Sequence, residues 1–511
     1  MLGCLFEFAD EAMSAETQQP SLPLRRSAIR SGVATGVSIL AGSGAAAIAG
    51  AYLAHKFGRD ARTDGFLAAY GVYLVIVLAA QAFRLVIVPD LTRASAEARL
   101  TAEFVSYASA LLAIALPVSV LTVVLSDPLG DLLTGTLPPE AASIASRALV
   151  WLVPAAFLQM LAALGASALA ARDSYLVAAV TYALGATSGL VVFVALASSH
   201  GLVSLAWGLA LNGVLSATIP LVALMRHGDL RGARSGGVAV WARLRKLGQA
   251  AAVPLAMQGL YVIALRGASG LGEGNQTSLT YAYLFAATLV AATASSLSLI
   301  SSAPLTRRGL DAESAAAHVL HAAWLSLVLI GAAAGVFALV GGRVVTFILG
   351  DAYSGTVGRD LGHLVVYLSP WIVAAVAFSV IFPLLFVLEK PRVLIPLAVL
   401  VLAVDVPLSL GLRAAFGLRG LVLALALATF LAVVALTAAV SMRMLVLTVL
   451  GLTRTALLIA ALTVASFGLP DLVTSGFIAA FAGLAIYVAV LAALRPRGLV
   501  EAWRYVRVLH H

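Results

Sequence analysis

Long apolar runs separated by short polar gaps repeat along almost the whole chain. A bilayer core about 30 Å thick takes roughly 20 apolar helical residues per crossing. Runs of that length predict spans at 28–53, 65–89, 103–126, 144–170, 174–197, 202–225, 247–266, 279–303, 318–340, 360–388, 392–414, 418–440, 453–469 and 474–494. Transmembrane β-strands would be about ten residues long with alternating polarity, and these runs do neither. The pattern predicts an all-α polytopic membrane protein of about 14 transmembrane helices, with very short turns near 172, 200 and 416.

A weak internal repeat organises these runs. The segment VIVPDLTR ending at Arg93 returns as ISSAPLTR ending at Arg307, and Pro154 in LVPAAF is matched by Pro370 in LSPWIV. The hairpin SHGLVSLAWGLAL from Ser199 has a partner in AFGLRGLVLALAL from Ala415. The repeat pairs spans one to six with seven to twelve and leaves two over. An even number of helices per repeat keeps both lobes in one orientation, related by an axis along the membrane normal, with a cavity between them. The expected organisation is a tail at 1–27, a six-helix lobe at 28–225, a basic linker at 226–246, a second lobe at 247–440, two extra spans within 453–494, and an amphipathic tail at 495–511. VAVWARLRKL in the linker has apolar and basic residues at helical spacing, which predicts a helix lying on the inner surface or a solvated segment.

Composition places the chain in lipid. Of 511 residues, 62% are hydrophobic and 11% charged, against about 25% charged in a soluble domain; the mean hydropathy is +1.04. With the N-terminus inside, 22 of the 32 Lys and Arg residues fall in cytoplasmic segments and 8 on the other face, with Arg84 and Arg147 inside spans. That bias puts both termini in the cytoplasm. The net charge of +9 lies in short gaps rather than in a stripe with interleaved aromatics, so membrane lipids and not nucleic acid are the expected partners. The run after Arg30 is too long for a signal-peptide core. Arg-dominated basic residues and heavy Ala, Val, Leu and Gly usage suggest a GC-rich bacterial genome.

Enzyme chemistry finds no support. The chain has no Gly-rich stretch ending in Lys-Ser or Lys-Thr, no His-Glu-x-x-His, one cysteine (Cys4), and no outer gap longer than the roughly twenty residues from Gly341 to Arg359. No cofactor and no metal is expected. Asp60 and Asp64 in the first outer loop could pair on a cation, but a turn with a helix cap at Asp64 is the simpler reading.

Ionisable and polar groups at membrane depth are the functional candidates, since a charge there costs about 2.5–3.5 kcal/mol. Asp405, mid-span, is read as an ion-coupling site or as a hydrogen-bonded carboxyl beside the break at Pro407. Arg84 and Arg266 are read as cavity cations or as snorkelling side chains. Gln159, Asn212, Gln258 and Tyr261 suit a hydroxyl-rich ligand, or hydrogen bonds between helices. The first span carries Gly32, Gly36, Gly42, Gly44 and Gly50, which implies close packing or a sliding gate helix.

Three segments carry a family resemblance: AHKFGRDARTDGFLAAY (54–70), LGEGNQTSLTYAYLFAATLVAATASSLSLISSAPLTRRG (271–309) and FGLRGLVLALALAT (416–429). They resemble the multidrug/oligosaccharidyl-lipid/polysaccharide exporter superfamily, in particular its polysaccharide and lipid II flippase branches. The resemblance implies movement of polyprenyl-pyrophosphate-linked sugars to the outer leaflet by alternating access, with Asp64 kept from the family's charged set as a gate residue; envelope-assembly proteins are the partners a scaffold role would require. It also exposes a departure. Positions where lipid II flippases usually carry arginines read Ser43, Ala49, Val77 or Leu78, and Leu284 here. The resemblance thus favours a lipid-linked saccharide other than the peptidoglycan precursor. An ion-coupled multidrug-type exporter and an inactive membrane scaffold are the competing expectations.

Overall fold

The computed structural model describes residues 41–172, 174–226, 240–290, 312–387, 391–494, 496 and 498–501. Fifteen α-helices run through the described residues of 41–494: α1 (41–57), α2 (Ala61–Ala96), α3 (Leu100–Val124), α4 (Ser126–Thr134), α5 (Pro139–Ala170), α6 (Tyr175–His200), α7 (Val203–Arg226), α8 (Val240–Ser269), α9 (275–290), α10 (Ala312–Leu349), α11 (Gly355–Tyr367), α12 (Ser369–Val387), α13 (Leu394–Val440), α14 (Met442–Asp471) and α15 (Phe477–Leu494). Among the described residues there is no β-strand. Helices dominate because lipid offers no partner to a free N–H or C=O, so each crossing must satisfy its own backbone.

Ten of these helices are long and apolar enough to cross a membrane, and the bent pair α11–α12 adds an eleventh. Gly417, at φ +60°, divides α13 into two helices. With that division, and with α1 and α9, whose apolar runs extend beyond the described residues, the elements follow the fourteen runs of the sequence. Gly201, 216 positions before Gly417, also has a positive φ, +63°. A Cβ at either position would meet nothing within 4 Å, so the turn's dihedral, not crowding, requires glycine. The two hairpins of the internal repeat thus turn in the same way.

Some expectations are revised. Val240 to Lys246, read as part of a surface helix, form the first turns of α8, which continues without a break to Ser269. The long gap from Gly341 to Arg359 shrinks to five residues, because α10 runs to Leu349 and α11 starts at Gly355. The tenth run bends by 41° between α11 and α12, where Pro370 lacks the N–H that would bind the preceding turn. Pro154, its partner in the repeat, lies inside the unbroken α5. A Cβ at Gly42, Gly44 or Gly50 would meet no described residue within 4 Å. Gly32, Gly36, the second copy of the Pro-Leu-Thr-Arg motif and the C-terminal tail beyond 501 lie outside the described residues.

The helices form two groups. In the first, α2 packs on α5, α5 on α7 and α6 on α7; in the second, α8 packs on α13 and α10 on α11, α12, α14 and α15. The groups meet where α2 and α3 lie against α8. The outward faces are apolar: Leu116, Val120 and Val124 on α3, Leu457 and Val464 on α14, and Phe481 and Val488 on α15 are all exposed. Such faces suit lipid tails. The seam between the groups is where polar chemistry collects.

Candidate functional site: two latches and an aromatic seam

The first latch forms at the start of α2. Asp60 is the N-cap of α2, its carboxylate accepting from the Thr63 N–H at 2.8 Å. The sequence reading gave that role to Asp64, which instead sits in the first turn of α2, fully buried. Its target is α9, which belongs to the second group through Tyr283 on Tyr261 of α8 and Trp371 of α12, and through Phe285 on Phe337 of α10. Gly274 occupies the N-cap of α9, since its carbonyl accepts the Ser278 N–H at 3.0 Å. Glycine has no side chain with which to cap. Asp64 supplies the missing carboxylate from across the seam: it accepts from the Gly274 N–H, from the Thr277 N–H at 2.7 Å and from the Thr277 hydroxyl at 2.5 Å. A negative charge at a helix N-terminus is favoured both by the free N–H groups and by the helix dipole. Both carboxylates of the first outer loop are therefore engaged by backbone donors, which leaves no shared cation site between them.

Further bonds fasten the same end. Arg59 Nε donates to Gly274 O at 2.8 Å and to Ser278 Oγ at 3.0 Å. Tyr353 donates to Gly58 O and Tyr281 to Gly50 O, both at 3.2 Å. Gln276 Nε2 bridges Leu133 O of α4, at 3.2 Å, and Leu265 O of α8, at 3.0 Å.

The second latch lies at the far end of α2. Asp90 Oδ2 accepts from Tyr107 at 2.5 Å and from Lys246 at 2.9 Å, while Arg243 stands 3.4 Å away. Arg243 also donates to Glu103 at 2.8 Å and lies over the Tyr107 ring. Asp90, Glu103 and Tyr107 come from α2 and α3 of the first group; Arg243 and Lys246 come from α8 of the second. Burial alone would raise the Asp90 carboxyl. Hydrogen bonds from Tyr107 and Lys246, and the charges of Lys246 and Arg243, outweigh it and hold the group below its ordinary value.

Between the latches the seam is aromatic. On α2, Phe66, Tyr70 and Tyr73 stack in series, with centroids 6.3 and 5.6 Å apart. Facing them, Tyr261 of α8 stacks on Tyr283 of α9 at 4.0 Å, and Tyr283 meets Trp371 of α12 at 4.8 Å. A Cβ on Gly71 would lie 3.7 Å from the Tyr261 ring, so the two ladders abut.

A sequence model of the family described as Lipid II flippase MurJ matches residues 53–491. The chain belongs to that family. No curated protein sequence matches it significantly. Among solved structures, a lipid II flippase MurJ in an inward closed conformation superposes with a TM-score of 0.71 at 17% identity, covering 92% of this chain and all of that one. An inward-facing multidrug resistance MATE family transporter gives 0.55 at 17% identity, covering 81% and 98%. A MOP superfamily transporter from Pyrococcus furiosus gives 0.53 at 15% identity, covering 83% and 95%. The fold is therefore that of the MOP superfamily, and the chain is a multi-pass membrane flippase or exporter of that kind.

Of the residues singled out in the sequence, the structure gathers three at the seam. Tyr261 is fully buried and donates to Thr280 at 3.1 Å, Gln258 accepts from Tyr283 at 3.1 Å, and Asp64 closes one end. The others lie apart. Arg266 is exposed at the end of α8, donating to Ser269 at 2.9 Å and packed against Gly135. Arg84 is half-buried on α2, within electrostatic reach of Tyr182 on α6. Asn212 accepts from Ser216 at 3.0 Å beside Gly185, in the seam between α6 and α7 within one group. Gln159 is buried on α5. Asp405 is fully buried on α13; Ser409 donates to its Oδ1 at 3.3 Å, and Oδ2 has no partner among the described residues.

The second latch escaped sequence reasoning because its five residues sit at three span ends, where charges read as loop charges. One signal was available: Asp90 and Glu103 are acids flanking the same short gap, and the linker opposite is basic.

Proposed function

We propose that the chain flips a polyprenyl-linked saccharide across a bacterial cytoplasmic membrane by alternating access, with both termini inside. The observation that carries this is a pair of polar latches at opposite ends of one seam, each joining α2 of the first helix group to the second group. Alternating access needs a seam that can part at either end while the other end holds. Hydrogen-bonded latches suit that role better than interlocked side chains, because water or headgroups can take over their bonds. The Lys and Arg bias places the Asp90 latch inside and the Asp64 latch outside. Without a nucleotide-binding motif, the drive would come from an ion or from the membrane potential, worth about 2.3 kcal/mol per charge per 100 mV. Asp405, with one carboxylate oxygen unpartnered, is the coupling candidate.

The test is a leaflet assay for lipid-linked sugars in cells depleted of the protein, complemented by wild type, Asp64→Ala or Arg84→Ala. Accumulation of a polyprenyl-linked saccharide on the inner leaflet, reversed by wild type but not by Asp64→Ala, is the expected result. Unchanged distribution of every such lipid on depletion refutes the reading. Export of small amphipathic compounds, the second reading, is favoured by Asp405 and by the MATE-like fold, and would then show as drug sensitivity.

A further inference from the structure

The aromatic seam is more elaborate than packing requires. A seam that only had to seal could be built from Leu and Phe. This one places tyrosine hydroxyls at bilayer depth, where an unmet polar group is costly. Tyr261 and Tyr283 satisfy theirs with Thr280 and Gln258. The hydroxyls of Tyr70 and Tyr73 make no hydrogen bond to another described residue, and neither is a fully buried unsatisfied atom, Tyr70 being partly exposed and Tyr73 5% exposed. Nor does the ladder hold a charge: Arg59 is engaged by Gly274 and Ser278, and Arg413 by Gly270 O at 2.9 Å, both at the Asp64 end. The pieces are rigid, flat and amphipathic, with amide and hydroxyl groups at their edges. Binding sites for uncharged polar molecules have that make-up: aromatic walls with a few placed polar groups.

The geometry points to Tyr70, Tyr73, Tyr261, Tyr283 and Trp371, with Gln258 beside them, as the surface that receives the sugar rings of the transported lipid when the seam parts. Pyranose rings present C–H-rich faces that lie on aromatic rings, while their hydroxyls reach Gln258, Thr280 and the two unengaged tyrosine hydroxyls. The sugar, not the pyrophosphate, is then the part of the headgroup the seam recognises. A pyrophosphate would ask for cations, and the ladder offers none, Arg59 and Arg413 being engaged at the Asp64 end. This assignment rests on the flippase reading.

Native mass spectrometry of the detergent-solubilised full chain tests it. The probes are short-chain polyprenyl diphosphates bearing glucose, N-acetylglucosamine or rhamnose, the same lipid without sugar, and tetraphenylphosphonium. Wild type should bind at least one sugar-bearing lipid about tenfold more tightly than the bare lipid, the equivalent of about 1.4 kcal/mol. Tyr283→Leu and Tyr261→Leu should reduce that preference to about twofold or less while leaving the bare lipid's affinity unchanged. Tyr283→Phe keeps the ring and should retain most of the preference, which separates recognition from folding. The assignment is overturned if no sugar-bearing lipid outcompetes the bare lipid, if the leucine variants keep the preference, or if tetraphenylphosphonium alone occupies the seam. Loss of sugar preference together with a positive leaflet assay would sink this assignment and leave the flippase reading standing. Failure of both assays would remove both.

Discussion

Replacing Asp64 by alanine should open the outer end of the seam. The carboxylate is fully buried and accepts three hydrogen bonds from the start of α9. Its removal strands the Gly274 and Thr277 N–H groups and the Thr277 hydroxyl only while the seam is closed; once the seam opens, water satisfies them. The loss therefore falls almost wholly on the closed state. Hydrogen bonds to a charged group contribute about 1.5–3 kcal/mol each, and removing one partner of a buried charged pair costs about 3–5 kcal/mol. Taking the lower figure, about 3 kcal/mol, the closed-to-open ratio should fall by about two powers of ten. The assay is labelling of a Thr280→Cys reporter, in a Cys4→Ser background, by a membrane-impermeant maleimide added from outside. Thr280 is fully buried behind Asp64, so labelling should be slow with Asp64 present and faster by about that factor in Asp64→Ala. Asp64→Asn, which keeps one acceptor oxygen, should fall between. Equal labelling rates in all three proteins would refute the tertiary-cap argument.

Acid should act on the inner latch only at its extreme. Asp90 is held below 3.8 in the folded chain, so its contribution is fully present above that value and is lost as pH falls through the lower, folded value. Inner-end accessibility, read by a cysteine at Ala251, which is buried on α8 against α2 and α3, should be flat from pH 6 to 8; a transition inside that window would contradict the sign. Arg243→Ala leaves Asp90 and Glu103 half-buried with one fewer cation, and should raise the same accessibility about tenfold or more, an effect that salt weakens. Asp405→Asn should abolish any ion dependence of transport while leaving the thermal unfolding midpoint unchanged or higher, because it removes a buried carboxylate with an unpartnered oxygen; a lower midpoint would make Asp405 structural. Gly417→Ala forces a Cβ residue to φ +60°, costs about 1–3 kcal/mol, and should lower the unfolding midpoint by a few degrees; Gly201→Ala should match it if the two turns are equivalent.

Lipid makes much of this architecture legible from the chain alone. Because every crossing must satisfy its own backbone, span number, helical class and the short turns at Gly201 and Gly417 could be read from run length and glycine placement. Of the paired segments in the sequence, the hairpins at Gly201 and Gly417 share one turn geometry, while Pro154 and Pro370 act differently. The polar residues were harder to place. Position along a helix follows from counting, and Asp405 lies midway between Leu394 and Gly417, but the face it presents depends on helix rotation, which apolar surroundings on all sides leave unmarked. Gln258 and Tyr261 therefore met at the seam, while Asn212, at similar depth, turned toward α6. From the residues alone Asp64 read as a cap or as half of a cation pair, since its partner lies 210 residues away at a glycine with no side chain of its own. The Asp90 cluster joins three span ends that the sequence keeps separate. Where two helix groups meet is decided by tertiary packing, and that meeting turned scattered loop charges into latches and separate tyrosines into one surface.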